Sequence, residues 1–206
     1  MSKLKRIGTA VGLATLLFSP IASANLLTNG SFEQELVLGE AGGGWGFFSP
    51  ADIDGWSSET NNIEIWNSGF NGVDAADGNQ FAELNAHPET GNAFTLFQDI
   101  ITTIGDSYEL TFAYRARSGQ ESFSVGAGSL TDTVANTNTT SWTVYSALFT
   151  ASEATTRLLF TSVDPETETL GNFLDNVSVN RVPEPGTLAL LGLGLAGLGI
   201  SRRRRG

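Results

Sequence analysis

Between Asn25 and Asn180 the apolar positions recur every second residue, not every third or fourth. The stretch "SYELTFAYRAR" (107–117) sets Tyr108, Leu110, Phe112 and Tyr114 against Glu109, Thr111, Ala113 and Arg115. A period of two sends one set to a buried sheet face and the other to the opposite face. The same pattern runs through "WTVYSALF" (142–149), "TRLLFTSV" (156–163) and "FLDNVSV" (173–179). Turn-forming clusters separate these runs: Asn71-Gly72, Asp77-Gly78, Ile104-Gly105-Asp106, Ser118-Gly119 and Asp164-Pro165. No segment combines apolar helical spacing with caps at both ends. Short strands at intervals of roughly 8–12 residues predict an all-β sandwich or jelly roll. One domain without repeat or interior linker is expected over 25–180. Only "GEAGGGWGFFSPADIDGW" (39–56) reads as an exposed loop, since Gly42-Gly43-Gly44 disfavours extended structure.

The two ends have a different texture. Lys3, Lys5 and Arg6 precede an apolar run from Ile7 to Phe18, and Ala22-Ser23-Ala24 supplies an A-x-A box. Residues 1–24 therefore read as a secretory signal peptide, removed on export. At the other end, residues 181–206 read "RVPEPGTLALLGLGLAGLGISRRRRG". The run from Thr187 to Ile200 is fourteen residues without a charge, shorter than the about 20 a full span needs. A short apolar helix serving as a transient inner-membrane anchor is expected there. The arginines that follow act as a positive-inside stop and leave the sandwich outside. Gly192, Gly194 and Gly197 match a dinucleotide fingerprint, but the few residues beyond leave no room for the helix and acidic residue such a site requires.

Trimming the ends sharpens the charge. Residues 25–180 carry three arginines (Arg115, Arg117, Arg157) against twenty-one acids, a formal charge of −18. A surface of that sign repels phosphate backbones, so no nucleic-acid partner is expected; cations and neutral polar polymers remain. There is no cysteine and only one histidine, which removes thiol catalysis, iron–sulfur clusters, thiolate zinc sites and multi-histidine metal centres. About 155 residues are enough to bury a core without disulfides. His87 precedes Pro88 in a loop and no G-x-S-x-G elbow accompanies it. Carboxylates are plentiful, but glycoside hydrolysis needs two at a fixed separation that sequence cannot supply. The expectation is a protein that is not an enzyme, with no catalytic residue assigned.

Two resemblances extend this reading. "NLLTNGSFEQ" and "GNFLDNVSVN" look like the first and last strands of galactose-binding-like β-sandwiches, the jelly-roll fold of many carbohydrate-binding modules. "DGNQFAELN" and "LFQDIITTIGDSYELTFAYRAR" resemble the central strands of the same group. The resemblance implies carbohydrate binding and a structural calcium ion as cofactor, with Glu33 and Asp175 matching its side-chain ligands and the turn at Asp77 adding oxygen. Calcium takes six to eight oxygen ligands, and an acidic exported domain suits it. Read alone, these are equally polar residues at strand ends.

Sugar rings stack on aromatic planes while their hydroxyls take fixed polar groups. By alternation Phe81, Glu83 and Asn85 share one strand face and Arg115 and Arg117 share another. The candidate carbohydrate-binding set is therefore Trp45, Trp56, Trp66, Glu83, Asn85 and Arg115. The same tryptophans would equally fill the core, and Arg115 would equally balance one of the many acids.

In the tail, the order Pro183-Glu184-Pro185, apolar run, then Arg202, Arg203, Arg204 and Arg205 is similar to the PEP-CTERM sorting signals of Gram-negative bacteria. That resemblance implies processing near the Pro-Glu-Pro triplet by an exosortase, a membrane protease. It also implies transfer toward the cell surface, often alongside extracellular polysaccharide. The chain is thus expected to be a surface-sorted carbohydrate-binding or matrix sandwich; a structural or adhesion protein without a sugar pocket is the alternative, and a glycan-active hydrolase a distant third.

Overall fold

A computed structural model describes residues 24–34, 44–59, 62–85, 91–166 and 168–183. Most of the signal peptide, the expected tail helix, Glu184, Pro185, Arg202 to Arg205 and His87 lie outside the described residues.

Among the described residues ten strands form two antiparallel sheets. They are β1 (Trp45–Phe48), β2 (Ile63–Asn67), β3 (Gln80–Glu83), β4 (Thr95–Ile101), β5 (Ser107–Arg115), β6 (Glu121–Ala127), β7 (Leu130–Asn136), β8 (Thr143–Thr150), β9 (Thr155–Asp164) and β10 (Phe173–Arg181). One sheet has the order β1-β2-β3-β10-β5-β8 and the other β4-β9-β6-β7. The non-sequential neighbours mark a sandwich whose strands cross between layers. Each alternating run in the sequence is a strand here: 107–115, 143–150, 155–164 and 173–181.

The core lies between the sheets and is built by that alternation. Tyr108, Leu110 and Phe112 of β5 face inward, and the ring of Phe112 meets Phe160 of the opposite sheet at 5.2 Å, edge to face. Ile63 and Ile65 of β2, Ala82 of β3 and Leu174 of β10 point into the same core.

Two expectations change. Trp45–Phe48, read as loop, is an edge strand paired along its whole length with β2. Pairing outweighs the weak local propensity of its glycine-rich approach, because each ladder bond satisfies a backbone group that a loop would leave to water. The segment from Asn25, expected as a regular first strand, follows β10 instead as an irregular ribbon. Leu26 donates to the Val179 carbonyl at 2.9 Å and Val177 donates to the Gly30 carbonyl at 2.9 Å. Asn29 and Phe32 adopt positive φ (55° and 58°), which breaks the extended path between those contacts. A Cβ at Gly30 would sit 2.1 Å from the Val177 oxygen, so only glycine permits this approach.

Candidate functional site

The outer face of the six-stranded sheet carries what the core face does not use. Strand register places Phe47 opposite Glu64, Glu64 opposite Glu83, Glu83 opposite Phe173, and Phe173 opposite Arg115. Directly opposed residues share a face, so one row crosses β1, β2, β3, β10 and β5. A second row sets Trp45 opposite Trp66 and Trp66 opposite Phe81. Trp66, Val73, Phe81 and Phe173 form an apolar cluster separate from the core, with Phe70 and Trp142 packed against it. An apolar floor with a polar row beside it is thus a direct product of register.

The polar row is tightly wired. Glu64, Glu83 and Asn85 are buried, with 3%, 0% and 1% of their surfaces exposed. Trp66 Nε1 donates to Glu64 Oε1 at 2.8 Å, and Asn85 Nδ2 donates to the other Glu64 oxygen. Arg117 Nη1 donates to both oxygens of Glu83, at 2.7 and 2.9 Å, and its guanidinium lies over the Trp66 ring, 4.7 Å from the centroid. The Gly171 amide gives Glu83 a further bond at 2.9 Å.

Burial pushes the Glu83 carboxyl up to about 8, and the neighbouring Glu64 adds to the rise against the pull of Arg117. Glu64 is raised too, chiefly by burial, and register sets it directly opposite Glu83. Two desolvated carboxyls beside one guanidinium hold a proton between them near neutrality. Glu121, also buried, accepts from the amides of Arg117 and Ser118 at 2.9 and 2.6 Å and fixes the turn that aims Arg117.

Two adjoining cavities open on this face. One, of about 320 Å³, lies among Trp45, Phe47, Glu64, Trp66, Phe70 and Arg117. The other, of about 340 Å³, lies among Trp66, Asn71, Val73, Arg115, Arg117 and Phe173. Arg115 donates through Nε to the Thr139 carbonyl at 3.0 Å, and Nη2 donates to the same oxygen. Burial lowers its basicity from the ordinary arginine value, against the through-space pull of Asp74.

Of the sequence candidates, Trp45, Trp66, Glu83, Asn85 and Arg115 are gathered here, in the cavity walls or in the bonded row beside them. Trp45 is the open member, 36% exposed, whereas Trp66 at 2% is floor. Trp56 is placed elsewhere: it is 1% exposed in the core, stacked 5.2 Å from Phe32, and donates to the Asn29 carbonyl at 2.9 Å. It therefore offers no platform to a ligand. Sequence reasoning did not single out Glu64, Phe47, Phe70 or Asn71. The signal for Glu64 was present in "IEIW", where a period of two puts it beside Trp66 and opposite the isoleucines.

Glu33, Asp77 and Asp175 also come together, around the 75–80 turn. Glu33 Oε1 accepts from the amides of Asn79 and Gln80 at 2.7 and 2.6 Å. Asp175 Oδ2 accepts from Ala76 and Asp77 at 2.8 and 2.9 Å, and Asp77 accepts from the Ser31 hydroxyl at 2.7 Å. As arranged, these oxygens accept N–H bonds and one hydroxyl bond that pin the turn. Among the described residues no group of three or more acidic or histidine side chains is placed to hold a metal.

Comparison with known proteins adds the lineage. A family model described as "Protein of unknown function (DUF642)" matches residues 25–180, and the PEP-CTERM protein-sorting motif matches residues 181–205. That motif implies export and exosortase-mediated sorting. No curated protein matches the chain. Among solved structures, an arabinose-bound α-L-arabinofuranosidase, MgGH51, aligns at TM-score 0.50 with 12% identity over 77% of this chain and 26% of its own. A structure described as "CBM4 structure and function" aligns at 0.48 with 15% identity, over 76% of this chain and 99% of that one. TmCBM61 in complex with β-1,4-galactotriose aligns at 0.47 with 15% identity, over 78% and 100%. At 12% identity the likeness to the arabinofuranosidase is one of fold alone, and the two antiparallel sheets of the described residues make that fold a jelly-roll β-sandwich.

Proposed function

We propose that this chain, which belongs to the DUF642 family, is a non-catalytic glycan-binding sandwich, sorted to the cell surface and resident in extracellular polysaccharide. The observation that carries this reading is the outer-face row, in which the half-exposed Trp45 stands beside fixed carboxyl, amide and guanidinium groups in a pocket of about 320 Å³. A sugar ring would lay its C–H face on Trp45, and its hydroxyls would meet Glu64 and Arg117. Those groups are held by Trp66, Asn85 and Glu83 and need no reordering on binding, which reduces the entropic cost.

Geometry also favours binding over hydrolysis. A glycosidase pair stands about 5–5.5 Å or 6.5–9.5 Å apart across the scissile bond. Register sets Glu64 directly opposite Glu83, both are buried, and both are already engaged by Trp66, Asn85 and Arg117, so the pair does not flank an open cleft as a glycosidase pair must.

In the tail, the reading is that an exosortase of a Gram-negative inner membrane processes the chain near Pro183-Glu184-Pro185. The 187–200 segment tethers it briefly, and the terminal arginines stay on the cytoplasmic side.

The test is glycan-array binding by the purified protein. Trp45→Ala should weaken binding about tenfold or more, the scale of an aromatic anchor, with an unchanged melting temperature. Binding to no glycan would sink the reading in favour of a structural matrix role, and release of reducing ends from a bound glycan would overturn its non-catalytic part.

A further inference from the structure

The second cavity is chemically unlike the first. Residues 25–180 hold only three basic side chains against twenty-one acids, and two of the three, Arg115 and Arg117, line this one cavity. Each of the others has its carboxylate: Arg117 pairs with Glu83 at 2.7 Å, and Arg157 pairs with Asp99 at 2.8 Å and Glu59 at 3.2 Å. Among the described residues Arg115 pairs with no carboxylate. Among the described residues its only protein acceptor is the neutral Thr139 carbonyl, which takes Nε and Nη2. Three of the five guanidinium N–H groups are thus left without a protein acceptor among the described residues. Asp74 acts on Arg115 through space but forms no ion pair with it.

Asn71, in a left-handed turn at φ 49°, lies on both cavities. Among the described residues no carboxylate lines the Arg115 cavity, although one lines its neighbour. A half-buried cation with spare donors in an otherwise acidic domain favours an incoming anion, because an anion recovers the solvation the guanidinium has lost. Its fork of N–H groups matches a planar two-oxygen carboxylate better than a hydroxyl.

We propose that the cavity beside Arg115 is a subsite for the carboxylate of an acidic sugar, so that the glycan recognised contains uronic acid. The proposal rests on the glycan-binding reading above and specifies its ligand class. A chain crossing the face would lay one sugar on Trp45, with the adjoining uronate directed at Arg115 and its ring hydroxyls at Asn71. The shared wall of Trp66, Asn71 and Arg117 makes the two cavities adjacent positions on one path.

Calorimetric titration of the purified protein with paired oligosaccharides tests this. Oligomers of galacturonate, glucuronate and mannuronate are each titrated as the free acid and as the methyl ester, which keeps the ring and removes the charge. At least one acid should bind about tenfold tighter than its own ester, the scale of a charge-assisted hydrogen-bond pair. Arg115→Gln should abolish the acid-to-ester ratio, and Arg115→Lys, which keeps the charge but loses the fork, should retain part of it; the lysine variant also serves if the glutamine variant does not fold. Ratios near one in every pair, or a ratio indifferent to Arg115→Gln, would overturn the proposal while neutral glycan binding stands. Binding to neither acidic nor neutral glycans would remove both readings together.

Discussion

Glu83 has no exposed surface, lies opposite another carboxyl and is served by one arginine and one amide. In the unfolded chain such a group titrates near 4.5, whereas in the folded protein it is pushed up to about 8 by burial and by Glu64. Between those values the folded state holds a proton that the unfolded state has released. Stability therefore falls as pH rises: the contribution is full below about 4.5 and lost through about 8. Asp175, raised by burial from 3.8 to about 7, acts in the same direction. The melting temperature should drop between about pH 5 and about pH 9, and Glu83→Gln should make that slope shallower while leaving the share of Asp175. Equal slopes in the two proteins would mean that Arg117 keeps Glu83 ionised throughout. At this scale the sequence was only partly legible. Trp56 closes the stretch read as an exposed loop and Trp66 lies in β2, yet Trp56 faces Phe32 in the core and Trp66 faces Arg117 on the outer face. Which side of the sheet a tryptophan takes depends on pairing partners distant in sequence. Glu83 was found by alternation, and "IEIW" carries the same signal for Glu64, but that the two carboxyls meet depends on the β2–β3 register.

Elements were more legible than residues, for a physical reason. In β5 and β9 one face meets the core over seven or more residues, and a period of two over that length is hard to produce otherwise, whereas β10 breaks its period at a bulge between Asp175 and Ser178, with Phe173 on the outer face and Leu174, Val177 and Val179 in the core. β1 is four residues long with an aromatic pair, too short to show a period, and exists because β2 offers it a ladder. The segment entering β10 shows what holds the site closed. Leu84 donates to the Asn172 carbonyl at 2.8 Å, Gly171 donates to Glu83, and a Cβ on Gly171 would fall 1.6 Å from the Leu84 oxygen. That atom is backbone and cannot swing aside. Gly171→Ala should therefore lift this segment from β3, uncover Glu83 and destabilise the protein by about 1–3 kcal/mol, the usual cost of overpacking. Gly126→Ala is the control: its nearest neighbour would be the Leu130 oxygen at 3.8 Å, ordinary contact, so a change within about 0.5 kcal/mol is expected. Denaturant midpoints of the two variants decide the matter, and equal midpoints would mean that the 171 approach is not needed to close the site.

At the scale of the whole molecule, acidic surface and tail act on different partners. A formal charge of −18 over 25–180 keeps the sandwich apart from its copies and from anionic lipid, so little in the body itself would hold the protein at a membrane. The basic residues 202–205 have the opposite sign and follow fourteen uncharged residues, a combination suited to a cytoplasmic-side stop. The sorting motif was legible from sequence alone because a tail of this kind is recognised through the order of its composition, whereas the outer-face site is made of side chains that only register brings together. Attachment should then reside wholly in the tail. Deleting 183–206 should leave an exported protein that fractionates as soluble, with the melting temperature of the processed form, since Val182 N still donates to the Ser107 carbonyl at 2.8 Å and closes the end of β10. The intact chain in cells lacking the exosortase should instead stay with the membrane fraction. A truncated chain that remained membrane-bound would place the attachment on the sandwich, and the exposed side chains of Val144 and Leu148 on edge strand β8 would be the first surface to mutate.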